Sequence, residues 1–443
     1  MSTTLITTML QELDARQGDI KTLNSYHCGE QTLAFLAPEA RTAIGSRFGR
    51  MTINYPRLAV NALTERLRVT GFMRAGKTDP ALWKIWLDND LDQRAKLVHR
   101  EALILGRSYV IVWANADGSP NISVESAEQV LVQRDPGTRN VIRGIKRWET
   151  KNTTEVMLYE PDKITHYRAD QTGTSIGTAF TTVEVIKNPL GWVPIIEFQN
   201  TDRLLTPGTS ELTDLIPLVD GLNKIYADMM VGSEFYARPR RWASGVELEE
   251  SPELDKDGEP TGEMVATNPY PEGNRMMIAE APEAKFGQLP ASDLASYKAA
   301  VEVLISAIMA VTGLPAHYTG VLSSQPPSAD SLRASEAALT AKAEDRQSAF
   351  GRSWEQVMRL VIAVQDGTNP DDANVSVQWG DPATRSIAQE ADAITKLYSA
   401  GLLPASYALK RLGYADHEIE AIRVARRSEA LDQTGTDLTE LLS

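Results

Sequence analysis

The sequence has a single cysteine, Cys28, and only five histidines among its 443 residues. One cysteine cannot form a disulfide within the chain or a thiolate-rich metal site. The histidines are scattered, and no two of them have the spacing of a zinc-binding pair. A nucleophile elbow of the G-x-S-x-G type is also missing. We therefore predict no catalytic residue, metal or cofactor.

Long apolar runs are absent as well. No run approaches the roughly 18–20 residues that span a bilayer, so we expect no membrane segment. The first residues, MSTTLITTMLQELDARQ, are acidic and amphipathic rather than basic and then apolar. They do not resemble a signal peptide, and assembly in the cytoplasm fits this pattern.

Positive charge is scarce, with 45 Lys and Arg against 59 Asp and Glu and a net charge of −14. Proteins that grip DNA usually present a basic face, because counterion release from phosphates supplies most of their affinity. The acidic balance argues against a repressor or a nuclease and allows only loose contact with DNA. A hydrophobic content of 42% is typical of a folded protein, and the length allows two or three cores.

Hydrophobic periodicity predicts an α+β fold for the first 200 or so residues. Helical spacing covers residues 2–23, a segment from near Pro56, a segment opened by Asp79 as N-cap, and 91–105, which Gly106 ends. A period of two then predicts strands, mostly antiparallel and separated by turn signals such as Asp117-Gly118. These strands are 109–113, 121–124, 130–133, 141–148, 155–159, 163–167, 183–186 and 193–198.

From about residue 209 the pattern is helical again. Helices over 209–237 and about 292–312 each carry an apolar stripe, and Pro217 and Gly221 should weaken or bend the first. The insertion between them is rich in Pro and Gly, and residues 245–285 hold eleven acidic and three basic side chains. It is too polar to form a large core of its own.

A long helix is predicted from Ser328 to about Gln365, with a kink or crossing point near 337–343. At 1.5 Å per residue it would span roughly 55 Å. One further strand follows at 375–379. Short helices are then predicted over 386–399, 405–412 and 417–431.

The segment from Gly71 to Thr78, GFMRAGKT, matches the phosphate-binding pattern G-x-x-x-x-G-K-[ST]. Such a loop works when a buried strand delivers it and a helix begins at its Lys-Thr. Here a helix precedes it, which leaves only 68–70 for a strand, and Pro80 places the next helix after Thr78. We favour a chance match in a turn, with a nucleotide hydrolase as an alternative.

Nine stretches of the sequence are informative through their order and spacing. They are 26–29 (YHCG), 54–72 (NYPRLAVNALTERLRVTGF), 86–91 (WLDNDL), 99–103 (HREAL), 190–198 (LGWVPIIEF), 208–223 (GTSELTDLIPLVDGLN), 312–318 (TGLPAHY), 327–339 (PSADSLRASEAAL) and 379–382 (WGDP). Together they resemble the portal, or head-to-tail connector, family of long-tailed double-stranded-DNA phages, from about residue 20 to residue 425. Ala329 departs from the pattern, because we expect glycine there, and it should stiffen the entry to the long helix.

The resemblance implies a portal fold and a ring that is typically a dodecamer. Such a ring would cover the two apolar stripes with neighbouring copies. The residues expected between subunits are Leu215, Leu222, Ile225, Leu304 and Ile308. The implied regions are the wing (1–208), the first stem helix (209–237), the clip (238–289), the second stem helix (290–313), the tunnel loop (314–327), the long kinked helix with wing closure (328–383), and the crown with the C-terminal tail (384–443).

The resemblance also implies a structural role in the virion rather than an enzyme. A portal occupies one capsid vertex, passes DNA during packaging and ejection, and docks a terminase motor, which is a separate ATPase. It then seats head-completion or adaptor proteins and tail proteins, and it meets the major capsid and scaffolding proteins. Another structural virion component, such as a minor capsid or baseplate protein, is the remaining alternative.

Three groups of candidate site residues follow from this assignment. In the tunnel loop, weak polar contacts with DNA are expected from His317, Tyr318, Ser323, Ser324 and Gln325. The basic cluster Arg238, Arg240 and Arg241 has two open interpretations, a contact with DNA or a helix cap with intersubunit salt bridges. The acidic side chains expected to dock the motor or the adaptor are Glu247, Glu249 and Glu250, in a run whose spacing is not that of a calcium loop.

Overall fold

The computed structural model describes residues 2–32, 52–201, 203–204, 206–237, 241–245, 249–254, 260–267, 283–288, 295–320, 329–383, 387–414 and 418–429. Its helices are α1 (Ser2–Ala15), α2 (Gln17–Cys28), α3 (Tyr55–Thr64), α4 (Pro80–Asp88), α5 (Leu91–Leu105), α6 (Ile216–Ala237), α7 (Ala295–Thr312), α8 (Ala329–Asp366), α9 (Ile387–Ser399), α10 (Ala405–Arg411) and α11 (418–429). Its strands are β1 (Val69–Arg74), β2 (Lys77–Thr78), β3 (Arg107–Ala114), β4 (Pro120–Ser126), β5 (Val130–Arg134), β6 (Val141–Glu149), β7 (Thr154–Tyr159), β8 (Lys163–Ala169), β9 (Thr181–Lys187), β10 (Ile195–Gln199), β11 (Arg241–Ser244), β12 (Glu249–Leu254), β13 (Pro260–Thr267), β14 (Lys285–Gln288) and β15 (Val375–Trp379).

The N-terminal helical run differs from the prediction of one helix, because it breaks at Arg16 into α1 and α2. The two helices serve different cores. α2 buries Ile20 in the main core of the molecule. α1 buries its apolar face against the five-stranded sheet, through Ile6, Met9, Leu10 and Leu13. Because of the break, the apolar faces of α1 and α2 pack against two different cores.

The strands confirm the α+β prediction for the first 200 residues. β5 to β9 form one antiparallel sheet in sequence order, and β10, β3 and β4 form a second antiparallel sheet. A third sheet joins distant parts of the chain, because β15 pairs with β1, with Val375 opposite Arg74. The segment after α8 therefore closes onto the N-terminal region.

α8 is one continuous helix of 38 residues, including 337–343, where the sequence predicts a kink. It brings Trp354 and Phe350 against His99 of α5, whose side chain is fully buried. His99 Nε2 accepts a hydrogen bond from Trp354 Nε1 at 2.8 Å. Burial disfavours the imidazolium and lowers the pKa of His99 to about 3. This histidine is a neutral core residue.

Two glycines allow the backbone leaving α5 to touch the backbone that enters α6. Gly106 has a φ of 80°, as expected for the left-handed residue that ends a helix. A Cβ on Gly106 would lie 2.4 Å from the carbonyl oxygen of Gly208, and a Cβ on Gly208 would lie 1.8 Å from that of Gly106. Asn200 closes the junction, since its N–H donates to Gly106 O at 2.9 Å. No larger side chain fits at this crossing.

The acidic insertion contains strands that the sequence did not predict. β11 pairs antiparallel with β14, and β12 pairs antiparallel with β13. Pro252 and Pro260 lie within these strands, and β12 also holds three glutamates. Proline and glutamate are depleted in strands, so the local signal for β structure is weak here.

Candidate functional site

α6 and α7 pack together as a pair. α6 approaches α7 closely at Gly221, where a Cβ would lie 3.6 Å from Leu304 Cδ1 of α7. α6 begins at Ile216, so Pro217 occupies its second position, where the missing N–H costs no hydrogen bond. The weakening predicted from Pro217 therefore does not arise.

The apolar stripes of this pair are covered within the chain, which corrects the expectation that neighbouring copies cover them. Leu215, Leu222 and Ile308 each have 0% exposure, and Ile225 and Leu304 are half-buried. The buried residues belong to the main core. The two stripes face each other and that core, so the first three side chains are not available to a neighbour.

A different face of α7 is exposed. Val303 and Val311 are 68% and 47% exposed, and Ala299 and Ala310 are also exposed. The charged residues on α7, Lys298 and Glu302, form an ion pair with each other at 3.8 Å. This face, called the outer α7 face below, presents small and β-branched side chains to solvent.

The composition of α7 bears on the expectation of no membrane segment. Among the residues described, α7 is long and apolar enough to cross a bilayer, with a mean hydropathy of 1.4 and 17% of its residues buried. Lys298 and Glu302 interrupt the apolar run, but its mean hydropathy stays high enough for a membrane-spanning helix. A helix that packs inside a protein assembly can have the same composition, so this finding is weak evidence for a membrane.

The turn after α7 is held by the Arg66 cluster, which comprises Arg66, His317, Tyr318 and Glu336. Arg66 Nη2 lies 3.2 Å from Glu336 Oε2, and Arg66 Nη1 donates to the hydroxyl of Tyr318 at 3.3 Å. His317 Nε2 lies 3.3 Å from Glu336 Oε1. His317 and Tyr318, two of the five residues predicted to contact DNA, thus use polar atoms in contacts within the chain. Sequence reasoning missed Arg66 and Glu336, which are 270 positions apart.

A second buried cluster, the Glu211 cluster, lies where the chain enters α6. It comprises Glu211, Asn200, Lys342 and Arg346. Glu211 Oε2 lies 2.6 Å from Lys342 Nζ, and Oε1 lies 3.0 Å from Arg346 Nη2. Burial raises the pKa of Glu211, but Lys342, Arg346 and Asn200 outweigh it and hold that pKa below its ordinary value. The carboxylate is therefore charged at neutral pH.

Several predicted site residues lie outside the described part of the chain. These are Ser323, Ser324, Gln325, Arg238, Arg240 and Glu247. Three others are placed by their backbone alone. Arg241 pairs with Gln288 across β11 and β14, and Glu249 and Glu250 stand on β12 opposite β13.

The segment that matches the phosphate-binding pattern forms a β-hairpin. Arg74 pairs with Lys77, and the two residues between them, Ala75 and Gly76, have φ values of 51° and 79°. Positive φ at both central residues is typical of a type I′ hairpin turn. A helix starts only afterwards, at Pro80. The strand–loop–helix unit of a phosphate-binding loop is not formed here.

In the described ranges, no group of three or more His, Cys, Asp or Glu side chains could hold a metal ion. The Arg66 and Glu211 clusters consist of ion pairs and hydrogen bonds that join helices to the segments beside them.

The sequence matches the family described as phage portal protein, SPP1 Gp6-like, over residues 15–431. The chain therefore belongs to the phage portal family, whose members are structural components of the virion. It is 32% identical over 401 residues to the portal protein of Mycobacterium phage D29. The match covers 85% of this chain and 79% of that protein. The portal protein of Mycobacterium phage L5 is 31% identical with the same coverage.

Among solved structures, the chain is similar to a chain in the neck of an empty gene transfer agent (GTA) particle computed with C6 symmetry. The TM-score is 0.49 at 13% identity, over 86% of this chain and 94% of that chain. A chain in the neck of a native GTA particle computed with C12 symmetry gives a TM-score of 0.45, also at 13% identity, over 86% and 95%.

Proposed function

We propose that copies of this chain form a ring at one vertex of the phage capsid, through which DNA is packaged and later ejected. The observation that carries the proposal is the outer α7 face, with Val303 68% exposed, in a chain of the portal family. The exposed valines and alanines of this face are stabilised when another protein surface covers them. A closed ring covers it in every subunit, because a heterologous contact repeats around the rotation axis.

The proposed interface replaces three of the five stem residues expected from the sequence, and Ile225 and Leu304 remain candidates for it. Val303 and Val311 would meet the neighbouring subunit, while Leu215, Leu222 and Ile308 hold the α6–α7 pair together within each subunit. Twelve copies, as is typical of portals, are the proposed number.

Inside the channel, DNA would meet the region 314–327. The chain as a whole carries a net charge of −14, which repels phosphates and allows sliding. His317 is exposed and lies in this region, and Ser323, Ser324 and Gln325 would add short polar contacts. The cluster Arg238, Arg240 and Arg241 keeps its two interpretations, DNA contact or intersubunit pairing.

The driving chemistry of packaging would belong to a separate motor, the terminase. The acidic residues Glu247, Glu249 and Glu250 of the clip region are proposed to dock that motor, and after it the head-completion or adaptor proteins that seat the tail. Assembly would take place in the host cytoplasm with the major capsid and scaffolding proteins. Reversing the charges of Glu249 and Glu250 should abolish capture of motor or adaptor in a pull-down, while rings still form.

Imaging of the purified protein by negative stain tests the ring directly. We expect particles with a central hole, and a stable monomer under all conditions would contradict the proposal. A second experiment addresses the channel. Replacing Ser323, Ser324 and Gln325 by lysine should slow or stall packaging by attracting phosphates, with rings intact. A control replaces Thr138 in the exposed β5–β6 turn by lysine, which adds positive charge away from region 314–327 and should leave packaging unchanged.

A further inference from the structure

We propose that Arg66 is a positioning residue that ties the chain leaving α7 to the first half of α8. The inference rests on the proposed function, in which the region 314–327 faces DNA, because this tie sets where that region starts. Arg66 follows α3 and belongs to neither helix that it joins. One guanidinium contacts Tyr318 on one side and Glu336 on the other.

The chemistry of the tie requires arginine. Both Nη1 and Nη2 lie within 3.4 Å of the Tyr318 hydroxyl, while Nη2 also reaches Glu336 and Nη1 donates to Ala62 O at 2.9 Å. A planar fork can serve three acceptors at once, whereas a lysine ammonium is a single point charge. The guanidinium also stands 5.9 Å from the centre of the Tyr318 ring. A lysine at this position would keep the charge and lose most of these contacts.

Burial makes the tie specific. Arg66 and Glu336 are 8% and 7% exposed. Removing one member of a buried ion pair leaves the other charge without compensation, so the two are strongly interdependent. His317, beside Tyr318, lies against the second oxygen of the same carboxylate. The turn after α7 is therefore joined to α8 at two adjacent residues.

The other end of the helix pair is tied to the same helix. The Glu211 cluster joins the residues before α6 to Lys342 and Arg346 of α8. α8 thus contacts the chain where it enters the α6–α7 pair and where it leaves it. A displacement of the turn after α7 would act on α8 through Arg66 and through His317. The Glu211 cluster also provides a matched control of similar burial on the same helix.

Hydrogen exchange of backbone amides, measured by mass spectrometry on rings of the full chain, tests the tie. In Arg66→Met we expect amides of the turn, such as those of Gly313 and Tyr318, to exchange at least about tenfold faster, the scale set by hydrogen bonds to a charged group. Arg66→Lys should restore only part of the protection. Tyr318→Phe removes one hydroxyl and should give a smaller acceleration at the same amides, even if Arg66→Met does not fold.

The control Arg346→Met, at an arginine 7% exposed against 8% for Arg66, should accelerate exchange near Glu211 and leave the turn after α7 unchanged. Equal acceleration throughout α6, α7 and α8 in Arg66→Met would show a merely global loss of stability and would overturn the proposal. Unchanged exchange in both Arg66→Met and Tyr318→Phe would also overturn it. DNA packaged per ring is the separate functional measurement. If amide exchange is faster only in the turn after α7 and packaging is undiminished, the positioning role of Arg66 is supported and the DNA-facing role of region 314–327 is refuted.

Discussion

Replacing Val303 by aspartate should prevent assembly of the ring without unfolding the subunit. Val303 lies on the outer α7 face with 68% of its surface exposed, so the single chain gains little from its burial. Complete burial of a valine contributes about 1.5–3 kcal/mol, and covering the exposed two-thirds would contribute roughly 1–2 kcal/mol per interface. Loss of that amount alone weakens each contact about 5- to 30-fold.

Aspartate adds a second cost, because its carboxylate would move from water into the interface, where no opposite charge pairs with it. An uncompensated buried charge costs several kcal/mol more, so the total effect on each contact should exceed about 100-fold. In a ring every subunit carries the substitution, and every interface is weakened equally. At micromolar concentration we expect the variant to be monomeric.

Light scattering coupled to size exclusion measures the molar mass, and circular dichroism checks that the subunit remains folded. The matched control is Val185→Asp, which places the same charge at a valine of similar exposure, 58%, on the edge strand β9. That variant should assemble like the unmodified chain. Rings of normal mass from Val303→Asp would refute the assignment of the outer α7 face to the interface.

Three further predictions concern stability. The pKa of His99 is about 3 in the folded chain and near 6.5 in the unfolded chain, so the stability that neutral His99 contributes is complete above pH 6.5 and is lost as pH falls. Between pH 7 and pH 5 the free energy of unfolding, measured with urea, should fall by roughly 2 kcal/mol on this account. The fall should be absent in His99→Gln. Gly106→Ala combines a φ of 80° with a 2.4 Å clash against backbone, and it should lower the free energy of unfolding by about 3 kcal/mol or more. Gly76→Ala, whose Cβ would meet no neighbour, should lower it by about 1 kcal/mol. Thermal unfolding measures both. The lowered pKa of Glu211 gives stability that is present above about pH 4.3 and lost as pH falls further, and Lys342→Met should reduce this acid-dependent loss in the same urea titration.

Local features of the fold were predictable from the sequence. The strands of the first 200 residues follow from alternation between turn signals, and eight predicted strands correspond to β3 to β10. Asp79 caps α4 as predicted, accepting from the N–H groups of Ala81 and Leu82. Each of these signals depends on residues a few positions apart, so the printed order of amino acids contains the whole interaction.

Other features were missed because they depend on distant segments. β1 was expected to end at residue 70 but continues to Arg74, since β15 pairs along its length. The Arg66 cluster joins three segments, and a single buried arginine gives no periodic signal. The strands of the acidic insertion form against one another despite poor strand propensity, because pairing partners outweigh propensity.

The sequence by itself determined the strands β3 to β10 and most of the helices, and its ordered motifs resemble those of portals. Only the tertiary structure decided which apolar faces the chain covers for itself. Leu215, Leu222 and Ile308 are buried within one copy, whereas Val303 on the same helix pair is not. Periodicity gives the direction in which a helix face points. Burial depends on what stands opposite, and residues far away in the chain supply that surface.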